Sequence, residues 1–235
     1  MRMMAFAERN RKEILRDPTT LIFGVGMPIL MLAIVKIIGA AIPGGYMPAN
    51  FQLDSFVPAT ALFGMSFITM FTGMLISRDR ATSYLTRLFA GPMLAWEYIL
   101  GYTVPMVPIA LAQSVMTLGI GLVMGLTPSW GILWALLMLT ALSLLFLALG
   151  LLLGAGLTDK QLPAIASIVV QVVALTSGMW FDLGAMGGGF ATLCNCLPFR
   201  HALQLAVGAL RGDLSGWPVH AAVLLAYTAV ASVLA

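Results

Sequence analysis

The chain has 235 residues, of which 60% are hydrophobic and 9% charged, with a formal net charge of +3 and a mean hydropathy of +1.00. A water-soluble domain of this size needs far more charge to cover its surface, so the composition excludes a soluble globular fold and points to an integral membrane protein. The length suits a single membrane domain spanning 1–235 and leaves no room in it for a large soluble one.

Residues 1–17 are polar and helix-prone. Glu8 with Lys12 and Arg9 with Glu13 stand four apart, a spacing that supports one helix face, while Phe6, Ile14 and Leu15 supply apolar surface. The segment reads as an amphipathic helix lying on the membrane, with no cleavable signal pattern. Asp17 can then cap, and Pro18 can open, the helix that follows.

Six apolar runs come next, near 20–41, 57–77, 98–125, 130–156, 163–181 and 217–235. At about 20 residues each can cross a bilayer as a helix, so the expected fold is all-α with six spans. Gly125, Pro128 and Gly131 mark the turn that divides 98–156 in two. Pro28, Pro105 and Pro108 can kink their spans, and Lys36 can snorkel to an interface. Between spans two and three stands "SRDRATSYLTRLFAGPM", with Arg78, Asp79, Arg80 and Arg87, closed by Pro92. If this stretch is helical, Arg80, Tyr84 and Arg87 share one side, and Leu85, Leu88 and Phe89 offer an apolar strip beside it. The connection 182–216 contains "LPFRHALQLAVGALRGDLSG". Its Leu203, Val207 and Leu210 have helical spacing and Gly212 can end the helix. This helix is too short and polar to cross. It either dips into the outer leaflet under cover of protein or lies on the surface.

Lys and Arg set the orientation. With the N-terminus inside, Arg2, Arg9, Arg11, Lys12, Arg16, Arg78, Arg80, Arg87 and Lys160 are cytosolic, and only Lys36, Arg200 and Arg211 are outside. The positive-inside rule selects this arrangement, with both termini in the cytosol and the chain in the cytoplasmic (inner) membrane.

Chemistry of the chain's own is scarce. The lysines, Lys12, Lys36 and Lys160, follow Arg11, Val35 and Asp159, so none completes a nucleotide-binding Gly-Lys-Ser/Thr loop. The nine acids fall at span ends or in connections, which argues against a built-in ion motor or a membrane-embedded hydrolase. His201 and His220 have no partner spacing and read as packing or interfacial residues. Cys194 and Cys196 are one residue apart and read as unpaired thiols, and no cluster has metal-ligand spacing. Within the spans the polarity is neutral: Ser66, Thr69, Thr72, Gln113, Ser114, Thr117, Gln171, Thr176 and Ser177. Such groups bond helix to helix; alternatively Ser66, Thr69, Gln113, Thr117, Gln171 and Ser177 line a path for an amphipathic substrate. Gly121-xxx-Gly125 and Gly150-xxx-Gly154 permit close helix approach, a spacing common by chance among 24 glycines.

A transporter without a motor needs an external one. "RKEILRDPTTLIFGVGMPILM" entering span one, "FVPATALFGMSF" opening span two, "RDRATSYLTRLFAGPM" then "YILGY" leading into span three, "SGMWF" ending span five and "LPFRHALQ" near the end follow one another in an order that resembles the permease subunits of type-2 ABC exporters. That class includes drug-, polysaccharide- and nodulation-factor-export permeases. The resemblance implies that 1–17 is an interfacial connecting helix and that 78–93 is a cytosolic coupling helix docking on the ATPase, with Arg78, Asp79, Arg80, Tyr84, Arg87 and Leu88 as coupling residues. It further implies that 183–213 re-enters the outer leaflet. The implied partners are two ATPase subunits that bind ATP and Mg, a second permease chain, identical or homologous, and membrane lipids, with no nucleic acid. No cofactor or metal belongs to this chain. The implied cargo is an amphipathic drug or antibiotic, lipid or lipid-linked glycan. A secondary carrier or channel, a membrane-embedded enzyme and a non-transporting assembly or sensor subunit are the alternatives.

Overall fold

A computed structural model describes residues 2–18, 22–42, 47–91, 94–213 and 215–235 of the chain, and every element in them is helical. Helix α1 (Arg2–Arg16) is followed by a π-helical turn at Ile22–Gly26 that runs into α2 (Met27–Ala41). Then come α3 (Leu53–Ala81), the short α4 (Tyr84–Phe89), α5 (Ala95–Met124), α6 (Gly131–Gly156) and α7 (Leu162–Thr176). The chain ends with α8 (Leu183–Met186), α9 (Gly188–Cys196), α10 (Pro198–Arg211) and α11 (Trp217–Leu234).

Among the described residues five helices are long and apolar enough to cross a membrane: Ile22–Ala41, Leu53–Ala81, Trp96–Met124, Gly131–Gly156 and Trp217–Leu234. The expected span at 163–181 is different. Its helix, α7, has 15 residues, a rise of about 22 Å against a hydrocarbon core of about 30 Å. A turn at 177–181 continues it. Leu162 sits against Gly73 of α3, and the carbonyl of Met179 accepts a 3.3 Å bond from Asn50, just ahead of α3. The segment therefore climbs along α3 with a helix and then a non-helical end.

Hydropathy does not rank burial. The most apolar helix, α6, is half buried, whereas the less apolar α3 has 83% of its apolar window inside the protein. Lipid is as apolar as Leu, so greasiness alone draws no helix inward; close packing and hydrogen bonds do. Helix α3 carries Ala59, Ala61, Gly64, Ser66, Thr69, Thr72 and Gly73, all buried, and packs against α5, α6, α7 and α10. The Gly150-xxx-Gly154 spacing, easily read as chance, sits at the α3–α6 crossing. A Cβ on Gly150 would lie 2.8 Å from the Thr69 carbonyl oxygen, and one on Gly154 2.9 Å from that of Gly73. Thr69 Oγ1 adds a 2.9 Å bond to the Phe146 carbonyl.

Three further expectations change. The stretch 78–93 is not one helix: 78–81 is the last turn of α3, Ser83 takes a left-handed φ of 55°, and α4 begins at Tyr84. Arg80, Tyr84 and Arg87 therefore do not share one helix side. Pro92, expected to close the stretch, and Thr19 and Thr20, which follow the Asp17–Pro18 punctuation, lie outside the described residues. The segment 183–213 is three helices, and α10 does not lie on the surface: Phe199, Ala202, Leu203, Leu205, Ala206, Ala209 and Leu210 are buried against α3, α6 and α11. Pro105 and Pro108 lie inside α5, joined by Pro58 inside α3, while Pro28 opens α2 behind the π turn.

The α3–α6 contact generates a prediction. Gly150→Ala forces the two backbones apart and should cost about 1–3 kcal/mol, as overpacking does, read as a lower thermal midpoint of the purified protein. Gly119→Ala, where a Cβ meets nothing within 4 Å, should be neutral or stabilising.

Candidate functional site

The polar end of the bundle is organised by one carboxylate. Asp79, in the last turn of α3, is buried with 2% exposure. Arg9 of α1 grips it with two bonds, Nη1 to Oδ2 at 2.6 Å and Nη2 to Oδ1 at 2.7 Å. The hydroxyl of Tyr102, in α5, donates to Oδ2 at 2.6 Å. Burying a carboxylate costs several kcal/mol unless a partner neutralises it and donors meet its lone pairs; here both conditions hold. Arg9 also pairs with Glu13 at 2.8 Å, donates to Asn10 Oδ1 at 3.0 Å, and lies 4.5 Å from the centre of the Tyr84 ring, at the start of α4. The bond to Asp79 holds the Arg9 guanidinium even more firmly charged than usual, and Arg11 holds the exposed Glu8 carboxyl below its ordinary range.

The apolar side of α1 completes the joint. Phe6 meets Tyr102 edge-on at 4.9 Å and stacks near Tyr84 at 6.3 Å. A Cβ on Gly101 would come within 2.2 Å of the Phe6 ring, so only glycine lets α1 seat on α5. Asn10, fully buried, donates at 3.0 Å to the Gly101 carbonyl. One ligature thus ties α1, the end of α3, α4 and the start of α5.

Arg80 makes a second ligature. Its Nη1 donates to the carbonyls of Gly154 at 2.9 Å, of Ala155, and of Leu157 at 3.3 Å. These are the orphan acceptors at the C-terminal end of α6, where a cation also complements the helix dipole. What remains outward on this end is Arg78, Thr86 and Arg87, all exposed, with Leu85 buried and Leu88 half-buried beneath. Neither Arg78 nor Arg87 has an ion-pair partner among the described residues. A recess of about 650 Å³ runs beside α4, lined by Arg80, Leu85, Thr86, Ala90, Tyr98, Ala155 and Ala235. The last residue of α11's segment therefore shares this end of the bundle with α1 and α4.

Of the coupling residues read from the sequence, the structure brings Asp79 and Tyr84 together around Arg9 inside the joint. Arg80 turns to α6, and Arg78, Arg87 and Leu88 stay at the surface. Asp79 is a buried anchor of the joint. The joint itself was missed, although a signal for it exists: Asn10 interrupts the apolar stripe Phe6–Ile14 at a spacing of four, which marks a polar group that must find a partner inside.

The substrate-path candidates separate too. Ser66, Thr69, Gln113 and Thr117 are buried between helices and bond to backbone carbonyls of Phe63, Phe146, Ala61 and Gln113. Gln171 is exposed on α7, away from them. Ser177 lines a cavity of about 250 Å³ at the opposite end of the bundle, with Asn50, Ser55, Arg200, Gln204 and Arg211. There Arg211 pairs with Asp54 at 2.8 Å. His201 and His220, expected to be without partners, face each other, Nδ1 to Nδ1, at 2.7 Å. Cys194 is buried, Cys196 exposed, and both are free.

A family model for ABC-2 type transporters matches residues 1–210. The chain belongs to the ABC-2 type transporter family. No curated protein matches it. Family membership makes the chain a transmembrane permease component and not itself the ATPase, and it implies an ABC ATPase as partner.

The joint should be unforgiving. Arg9→Ala leaves Asp79 buried and unpaired and should destabilise the purified permease by about 3–5 kcal/mol. Tyr102→Phe, which removes one bond to a charged group, should cost about 1.5–3 kcal/mol. Arg11→Ala, which breaks only an exposed pair, should cost less than about 1 kcal/mol. Chemical denaturation in detergent reads all three.

Proposed function

We propose that this chain is the permease subunit of an ATP-driven exporter that moves an amphipathic substrate, such as a drug or antibiotic, a lipid or a lipid-linked glycan, out of the cytoplasm. Two such chains, identical or homologous, form the pathway, and two ATPase subunits binding ATP and Mg drive it from the cytosolic side. The N- and C-termini and α4 face the cytosol, in the cytoplasmic membrane. The observation that carries this reading is the cross-tied end of the bundle. Force applied to α4 meets the Arg9–Asp79–Tyr102 joint directly and α6 through Arg80, so it turns several helices together instead of bending one loop. The exposed Arg87, the half-buried Leu88 and the recess beside them supply charge and shape for a docking cleft.

Arg87→Glu should reduce co-purification of the ATPase and abolish efflux from cells while the chain still inserts, because a like-charge clash at an interface costs several kcal/mol. Arg80→Glu is a different lesion: it strips the α6 terminus of its donor and should lower stability even without any partner. Wild-type binding and efflux by the Arg87 variant would sink the docking role. With Cys194 and Cys196 replaced, Lys12→Cys and Thr86→Cys should resist an impermeant thiol reagent added outside intact cells, and Ala49→Cys should react. Labelling in the reverse sense would overturn the orientation.

A further inference from the structure

The histidine pair joins two helices that little else polar holds together. His201 lies on α10 and is nearly buried; His220 lies in the first turn of α11. Their Nδ1 atoms are 2.7 Å apart. His201 Nε2 lies 2.9 Å from the carbonyl oxygen of Asn195, and a carbonyl can only accept. Nε2 of His201 must therefore carry hydrogen, which in the neutral ring leaves its Nδ1 bare. A contact of 2.7 Å between the two Nδ1 atoms then requires the hydrogen to sit on His220 Nδ1, leaving His220 Nε2 bare. The tautomers of both rings follow from one carbonyl.

The surroundings offer little else to compensate charge. Arg200, next in sequence to His201, is the fixed positive charge that acts on His220, and its guanidinium bonds Asn195 Oδ1. Asp213 is committed to the Ser215 amide at 2.9 Å and Arg211 to Asp54. Tyr227 bonds the Cys196 carbonyl at 2.8 Å, the other tie between α11 and the α9–α10 region. Cys194 and Cys196 are free cysteines there, and α6, which packs against both α10 and α11, carries no titratable residue. Among the described residues no carboxylate bonds either imidazole.

We propose that His201 and His220 form a proton-binding latch that ties α10 to α11 with no proton or one proton added and opens when both rings are charged. The first added proton enters at His220 Nε2 from water and leaves the His220 Nδ1–H to His201 Nδ1 bond intact, now charge-assisted. The second has only His201 Nδ1 to occupy. Both Nδ1 atoms then carry hydrogen, the bond cannot exist, and two imidazolium ions face each other beside Arg200. The latch therefore holds at neutral and alkaline pH and is lost on acidification. Helix α11 is the least buried of the long helices, with 11% of its window inside, so loss of this tie frees it more than it would any other. The latch goes beyond the export reading and does not depend on it.

Hydrogen–deuterium exchange of the full chain in lipid nanodiscs tests this, each rate normalised to the intrinsic rate at its pH. Between about pH 8 and about pH 4.5, on either side of the ordinary imidazole range, amides of α10 and of the first turns of α11 should lose protection by about tenfold, the size of one hydrogen bond. His220→Gln should hold protection constant, because an amide can donate to a bare Nδ1 or accept from a protonated one. A wild type indifferent to acid, or a Gln variant that loosens as much as the wild type, overturns the latch. If the variant does not fold, nitrogen-15 spectra of the wild-type histidines decide. Opposite tautomers at neutral pH and two separated titration steps support the latch; identical tautomers or one step refute it.

Discussion

A single buried carboxylate organises one end of this protein's helix bundle. Asp79 sits in the last turn of α3, and its charge is met from two other helices. Arg9 arrives from α1 and Tyr102 from α5, and the guanidinium that neutralises Asp79 also lies over Tyr84 of α4. The requirement to neutralise one charge away from water thus fixes where four helices end. A surface pair between the same residues would be worth a fraction of this and would fix nothing. The cost of the burial is the source of its positional precision: any drift of α1 leaves the carboxylate unpaired.

The middle of the bundle obeys a different constraint. In lipid the apolar residues are indifferent to whether they face a tail or a neighbouring helix, so the helices that approach most closely decide the arrangement. Helix α3 has the small residues and short polar groups that allow this, and Gly150 and Gly154 of α6 provide the matching surface. Buried hydroxyls and the Gln113 amide then find backbone carbonyls across or along the contact. These residues weld α3, α5 and α6 into a block. The Asp79 joint is attached to the end of this block through α3 and α5.

At the opposite end one long helix is held less tightly. There α10 is packed against the block, but α11 leans on α6 and α10 with most of its surface outward. Among the described residues its polar ties are the Tyr227–Cys196 bond and the histidine pair. One end thus rests on a buried bidentate ion pair, Arg9–Asp79, whereas at the other the described polar ties of α11 are hydrogen bonds, Tyr227 to Cys196 and His201 with His220.

Much of this was legible in the residues. Composition and run length determine that the chain is helical and membrane-embedded, because only helices satisfy the backbone over long apolar stretches. The polar N-terminal segment, the basic insert around Arg78–Arg87 and the helical spacing of Leu203, Val207 and Leu210 follow from local pattern. Tertiary structure alone decided which helix is central, since hydropathy cannot distinguish a lipid-facing Leu from a buried one. It decided that the insert breaks at Ser83, whose left-handed φ of 55° separates the last turn of α3 from α4. It also decided that Asp79 is an anchor, that Gln171 faces outward and that His201 meets His220. Each of those depends on what residues 19 or more positions away bring to the same place, and sequence spacing carries no information about such meetings.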